Sequence, residues 1–119
     1  GVATYSYGSD AHGVHSVVGD RFASLVQREI CARTDLQNCG THSKTWDLLR
    51  LVQAPAVRID LGYLSNSGDA KRYLRTEFRD LIAESLVIAI QRLYLSAEDD
   101  AKTGTLRISD LKRAGLRIN

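Results

Sequence analysis

The chain has 119 residues, enough for one domain, with 44% apolar and 25% charged residues. That composition excludes a wholly disordered chain, and no apolar run approaches the ~20 residues of a membrane-spanning helix. Sixteen basic against fourteen acidic residues leave a net charge of +2, too balanced for a dedicated nucleic-acid binder.

Val2 to Tyr7 is β-branched and aromatic and ends at Gly8, which predicts a strand. A polar glycine loop, Gly8 to His15, follows. Val18, Phe22, Leu25, Val26 and Ile30 then recur at helical spacing, with Ser16 as N-cap, and the helix should stop near Arg33 or Thr34. Asp35 to Gly40 reads as a turn, Trp46 to Val52 as a second strand, and Ala56 to Leu61 as a third, since Val57, Ile59 and Leu61 alternate with Ala56, Arg58 and Asp60. A loop, Gly62 to Gly68, leads to a short helix at Asp69 to Leu74. The longest element is an amphipathic helix from Thr76 to Tyr94, its stripe formed by Phe78, Leu81, Ile82, Leu86, Ala89, Ile90 and Leu93.

Strands alternating with helices predict an α/β domain with a mostly parallel sheet over residues 1–95. Residues 96–119 lack periodicity and read as a flexible tail, with one or two helical turns at Ser109 to Ala114. Methionine is absent, so a processed or partial chain is expected. The chain also opens directly in a strand, and a parallel sheet needs both faces covered, so the other half of the domain is expected upstream.

Cys31 and Cys39 enclose a nine-residue ring. A disulfide there would add about 2.5 kcal/mol in the loop-entropy picture. The spacing is neither C-x-x-C nor a zinc knuckle, and it leaves a disulfide and two free thiols equally open. His12 and His15 are spaced H-x-x-H in a glycine loop, but two histidines make no zinc site without further ligands. They read as solvated or locally hydrogen-bonded, and His42 has no partner in sequence. Trp46 and Tyr63 read as core or groove-wall residues rather than sugar platforms.

The stretch Pro55-Ala56-Val57-Arg58-Ile59-Asp60-Leu61-Gly62-Tyr63-Leu64-Ser65-Asn66 resembles the PAV-x-[VI]-E-x-G-[FY]-[LI]-[ST]-N segment of the zinc-dependent N-acetylmuramoyl-L-alanine amidases, the amidase-3 family. The Gly1 to Tyr5 strand, the helix with Phe22 and Leu25, the Trp46 to Leu51 segment and the closing helix agree in order. The resemblance implies the C-terminal half of a mostly parallel-sheet, phosphorylase/hydrolase-like domain. It also implies a peptidoglycan hydrolase that cuts the lactyl-L-alanine amide. The family holds zinc with two histidines and a glutamate, all upstream of Gly1, and uses a separate glutamate as base. That glutamate's position here is Asp60. Aspartate draws the carboxylate back by about 1.5 Å, and such misplacement can cost on the order of 100-fold. Arg58, where the family is usually apolar, shares a strand face with Asp60 and would keep it ionised or simply pair with it.

The tail Asp99-Asp100-Ala101-Lys102-Thr103-Gly104-Thr105-Leu106 resembles the D-x-x-T-G-T-F regulatory tail of a catalytically inactive actinobacterial branch of the family. That likeness implies a cytoplasmic regulator, with export to the cell wall as the alternative. Thr103, and second Thr105, would be phosphorylated by a membrane Ser/Thr kinase. The phosphorylated form would bind a forkhead-associated (FHA) domain protein and stimulate the UDP-N-acetylglucosamine enolpyruvyl transferase (MurA) of peptidoglycan precursor synthesis. The two readings are thus a phosphorylation-controlled regulator and an active zinc amidase. This chain alone, lacking the metal ligands, should be inactive in either case.

Overall fold

The computed structural model describes residues 1–95 together with 104, 108 and 109. Thr103 and Thr105 lie outside the described residues, as does most of the expected Ser109 to Ala114 turn. Strand β1 (Val2–Ser9) is the spine of the sheet. Along one edge it pairs in parallel with β3 (Asn38–Lys44). Along the other it pairs antiparallel with β4 (Arg58–Asp60) and, farther on, with the short β2 (Val14–His15). The α/β class holds. The sheet is mixed among the described residues, with one parallel pairing and two antiparallel ones.

Helix α1 (Val17–Arg33) begins at Ser16, whose Oγ accepts from the Gly19 amide at 3.0 Å. It ends at Thr34, whose hydroxyl donates back to the Ile30 carbonyl at 2.8 Å. Helix α4 (Thr76–Tyr94) packs against α1 and matches its expected bounds. Val2, Leu25, Val26, Ile30, Leu36, Phe78, Ile82 and Ala89 form the core, with Ile59 and Leu61 packed at its border. Removing these apolar faces from water is the main drive for the fold.

The contact between β1 and α1 is also polar. Thr4 Oγ1 donates to Gln27 Oε1 at 2.9 Å, and Gln27 Nε2 donates to the Val2 carbonyl at 2.8 Å and to Asn38 Oδ1 at 2.7 Å. Ser6 donates to Asp20 at 2.6 Å. Thr4, Ser6 and Gln27 are buried and partnered, so they fix register without an unpaired-dipole penalty.

Two expectations are corrected. Asp35 to Gly40 is not simply a turn: from Asn38 on it enters β3, although NCGTHSK has poor strand propensity. The exposed ladder of β1 recruits it, and a bulge where Val2 faces Asn38 but Thr4 faces Thr41 is absorbed at Gly40, with φ at +81°. Trp46 to Val52 is not a strand. It contains the one-turn helix α2 (Asp47–Arg50), with an Asp47–Arg50 ion pair at 2.9 Å. Leu49 alone of its leucines is buried; Leu48, Leu51 and Val52 stay exposed, so no strand face forms there. The expected Gly8 to His15 loop also contains a 3-10 turn (Asp10–His12) and β2.

Helix α3 (Ser67–Tyr73) starts two residues earlier than expected, because Asn66 caps it by accepting from the Asp69 amide at 2.9 Å. Gly62 sits at φ +124°, and a Cβ there would lie 3.2 Å from Asp69 Oδ2 and 3.3 Å from Tyr73 Cε2. Gly62→Ala is therefore expected to lower stability by about 1–3 kcal/mol. A urea midpoint unchanged from that of the unaltered chain would contradict this.

Candidate functional site

Side chains of β1, β3 and β4 that point away from α1 and α4 meet on the opposite face of the sheet. Antiparallel register sets Ala3 across from Asp60 and Tyr5 across from Arg58; parallel register sets Tyr5 beside His42. Residues opposed across a ladder share a face. Trp46, just after β3, folds over this face.

Arg58 grips Asp60 as a fork, with Nε to Oδ1 at 3.0 Å and Nη2 to Oδ2 at 3.1 Å. Both carboxylate oxygens are engaged, in the geometry that guanidinium and carboxylate favour. The guanidinium carbon also lies 4.3 Å from the Trp46 ring centroid and 5.4 Å from that of Tyr5. Tyr5 in turn contacts Trp46 at 5.0 Å and His42 at 5.4 Å, ring centre to ring centre. Lys44 Nζ stands 5.9 Å from the Trp46 ring. Pairing with Asp60 raises the Arg58 pKa further. Burial, with the Asp60 carboxylate adding to it, pushes the Tyr5 phenol above its ordinary value. The result is a cation held on an aromatic surface and closed by its own carboxylate.

The expected Arg58–Asp60 pairing is thus present. Trp46 is a wall of the site, while Tyr63 is half exposed on the loop after β4. His12 and His15 do not converge with Asp60. His15 Nδ1 lies 3.3 Å from Ser43 Oγ and 3.6 Å from Asp20 Oδ2, in a small polar pocket beside β3. His42 Nε2 contacts the Cys39 carbonyl at 2.7 Å. Among the described residues, no group of three or more His, Cys, Asp or Glu side chains is arranged to hold a metal. Cys31 and Cys39 are free thiols, and burial, then Cys39, raises the Cys31 pKa and blunts its reactivity.

Sequence reasoning missed Tyr5, His42 and Lys44 as members of this face. The alternation Ala3, Tyr5, Tyr7 along β1 was the available signal. His42 and Lys44 gave none, because β3 itself was not legible.

The remaining residues of the Pro55 to Asn66 stretch hold this corner of the site. Gly62 allows the tight approach of Asp69, whose Oδ2 accepts from the Tyr63 amide at 3.1 Å. The Tyr73 hydroxyl donates to the Leu61 carbonyl, and Asn66 caps α3. The segment is a strand, a pinned loop and a capped helix, which delivers residue 60 to the end of β4.

The profile of the family Amidase_3, N-acetylmuramoyl-L-alanine amidase, matches residues 1–92. The chain is 43% identical over 111 residues to the N-acetylmuramoyl-L-alanine amidase CwlM of Mycobacterium tuberculosis, covering 93% of this chain and 27% of that protein. Its fold is similar to that of an N-acetylmuramoyl-L-alanine amidase from Clostridium difficile 630, with a TM-score of 0.67 at 20% identity, over 77% of this chain and 47% of the other. It is similar also to the amidase AmiC2 of Nostoc punctiforme, with a TM-score of 0.65 at 24% identity and the same shares covered. The chain spans about a quarter of the length of CwlM and about half of each of these structures. With a family profile matched over most of its length, the chain belongs to the N-acetylmuramoyl-L-alanine amidase family Amidase_3.

Proposed function

We propose that this chain is part of an amidase-family protein that regulates peptidoglycan precursor synthesis and does not hydrolyse peptidoglycan. The observation that carries the reading is the closed Arg58–Asp60 fork. A general base must have a free lone pair within hydrogen-bond reach of the water it deprotonates. Asp60 gives one lone pair of each oxygen to a guanidinium that is itself fixed on Trp46 and Tyr5, which halves its free acceptor sites and fixes their direction. Its shorter side chain adds to the misfit. In this reading the zinc ligands of the family belong to the other half of the domain, and the regulatory output runs through the tail. A Ser/Thr kinase modifies Thr103, and second Thr105. An FHA domain reads the phosphothreonine, and the phosphorylated protein stimulates MurA on the cytoplasmic side.

The second reading is an active zinc amidase, exported to the cell wall, that cleaves the lactyl-L-alanine amide. The strand–loop–helix geometry of residues 58–73 favours it. One pair of assays separates the two. The full-length protein, supplied with zinc, is incubated with muramoyl peptides, and in parallel the kinase-treated protein is added to the transferase. The expected result is no peptide release, phosphate on Thr103, and a faster transferase, with Asp60→Ala changing neither outcome. Peptide release that falls on the order of 100-fold in Asp60→Ala would establish the amidase and overturn the regulator.

A further inference from the structure

Helix α4 carries Glu77, Asp80 and Glu84 at spacings of three and four, so their side chains share one face. Glu77 and Asp80 are exposed, and Glu84 lies at the inner border of the strip, where its Oε2 stands 4.0 Å from Arg33 Nε. Such a strip by itself would be a solvated helix face. Here the chain returns to it. The Ile108 amide donates to Glu84 Oε1 at 3.3 Å, and Ile108 joins Glu77, Asp80, Leu81 and Glu84 in lining a cavity of about 440 Å³. Four residues earlier, Gly104 lies on α1. It adopts φ +85°, and a Cβ there would stand 3.0 Å from Ala32 Cβ, so the backbone rests directly on the helix. Gly104 thus touches α1 and Ile108 touches α4.

The charge of the segment fits the strip. Residues 102–117 carry Lys102, Arg107, Lys112, Arg113 and Arg117 against the single acid Asp110. We infer that the acidic strip of α4 is a docking surface for the chain's own basic C-terminal segment, which closes over it as an intramolecular clasp. Attraction between exposed charges is modest and salt-sensitive, so the clasp is poised to open. If the regulatory reading above holds, phosphate at Thr103 or Thr105 adds about two negative charges to this basic segment, which weakens its attraction to the acidic strip and opens the clasp.

Hydrogen exchange of the Ile108 amide, followed by NMR in the full chain, tests the clasp without any kinase. The amide should be protected in the unaltered chain. Glu77→Lys with Asp80→Lys, both at exposed positions, should speed its exchange roughly fivefold. Ala32→Phe, a wedge beneath Gly104 that leaves every charge in place, should do the same. Unchanged exchange of the core amides in α1 and α4 would show that the fold is intact in both variants. An Ile108 amide that exchanges at the unprotected rate overturns the inference. So does a wedge effect without a charge effect, which removes the acidic strip as the docking surface, and so does no effect of either variant. A chain that no kinase modifies would end the regulatory reading while a protected, charge-sensitive Ile108 amide upholds the clasp.

Discussion

Glu29→Ala should lower the stability of the fold by about 3–5 kcal/mol, enough to unfold a marginal domain of this size. Glu29 is fully buried on α1 and faces two buried arginines. Arg92 of α4 places Nε 2.9 Å from Glu29 Oε1, and Arg33, one turn along α1, donates to Glu29 Oε2. Arg92 is further tied in, because Arg21 donates to its carbonyl at 3.0 Å. Removing the carboxylate leaves two guanidinium groups without their principal counter-charge in a water-poor interface, and that, more than the lost attraction, is the cost. The measurement is the urea midpoint at unchanged slope. Glu29→Leu combined with Arg33→Met and Arg92→Leu should recover part of the loss, since Glu29 and both guanidinium groups leave together and Glu84 alone loses its Arg33 neighbour. A Glu29→Ala chain within about 1 kcal/mol of the unaltered one would show that the network is relieved by water and does not join the helices.

The second large effect concerns Asp69 and acid. This carboxylate is buried at the start of α3 and pins the loop after β4. Its Oδ2 accepts from the Tyr63 amide and its Oδ1 pairs with Arg72 Nη1 at 3.2 Å, and both contacts favour the ionised form. A carboxylate whose ionised form the fold favours contributes stability above its unfolded pKa and loses it as pH falls through the lower, folded value. Asp69→Asn should therefore cost about 1–3 kcal/mol near neutral pH through its weakened hydrogen bonds. It should also flatten the dependence of stability on pH below 4. Urea titrations at several pH values read both effects. If the two proteins lost stability in parallel between pH 5 and pH 2, the acid response would have to arise at other carboxylates.

Legibility along the chain followed burial. Helices α1 and α4 were readable to within a residue or two, because each buries one continuous stripe and α1 carries a side-chain cap at Ser16. Strand β1 was readable from its β-branched and aromatic residues. Strand β3 was not, because its residues are polar and its strand state comes from the unpaired ladder of β1. The run from Trp46 to Val52 misled for the opposite reason. It is apolar in composition, yet most of it lies on the surface.

The candidate site divides in the same way. Asp60 and Arg58 were legible because they lie two apart on one strand, and their pairing follows from strand geometry alone. The aromatic seat of that pair was not legible. Tyr5, His42 and Trp46 come from elements separated by tens of residues, and only the register of β1 against β3 and β4 brings them together.

The sequence by itself determined the class of the fold, the two main helices, and the family segment ending at Asn66. Those depend on local periodicity and on residue types that a short stretch can carry. The tertiary structure alone decided that Trp46 and Tyr5 seat the Arg58 guanidinium and that Ile108 returns to α4. Each of these depends on long-range pairing, where the free energy of bringing distant segments together is decided by the whole packed core and not by any local pattern.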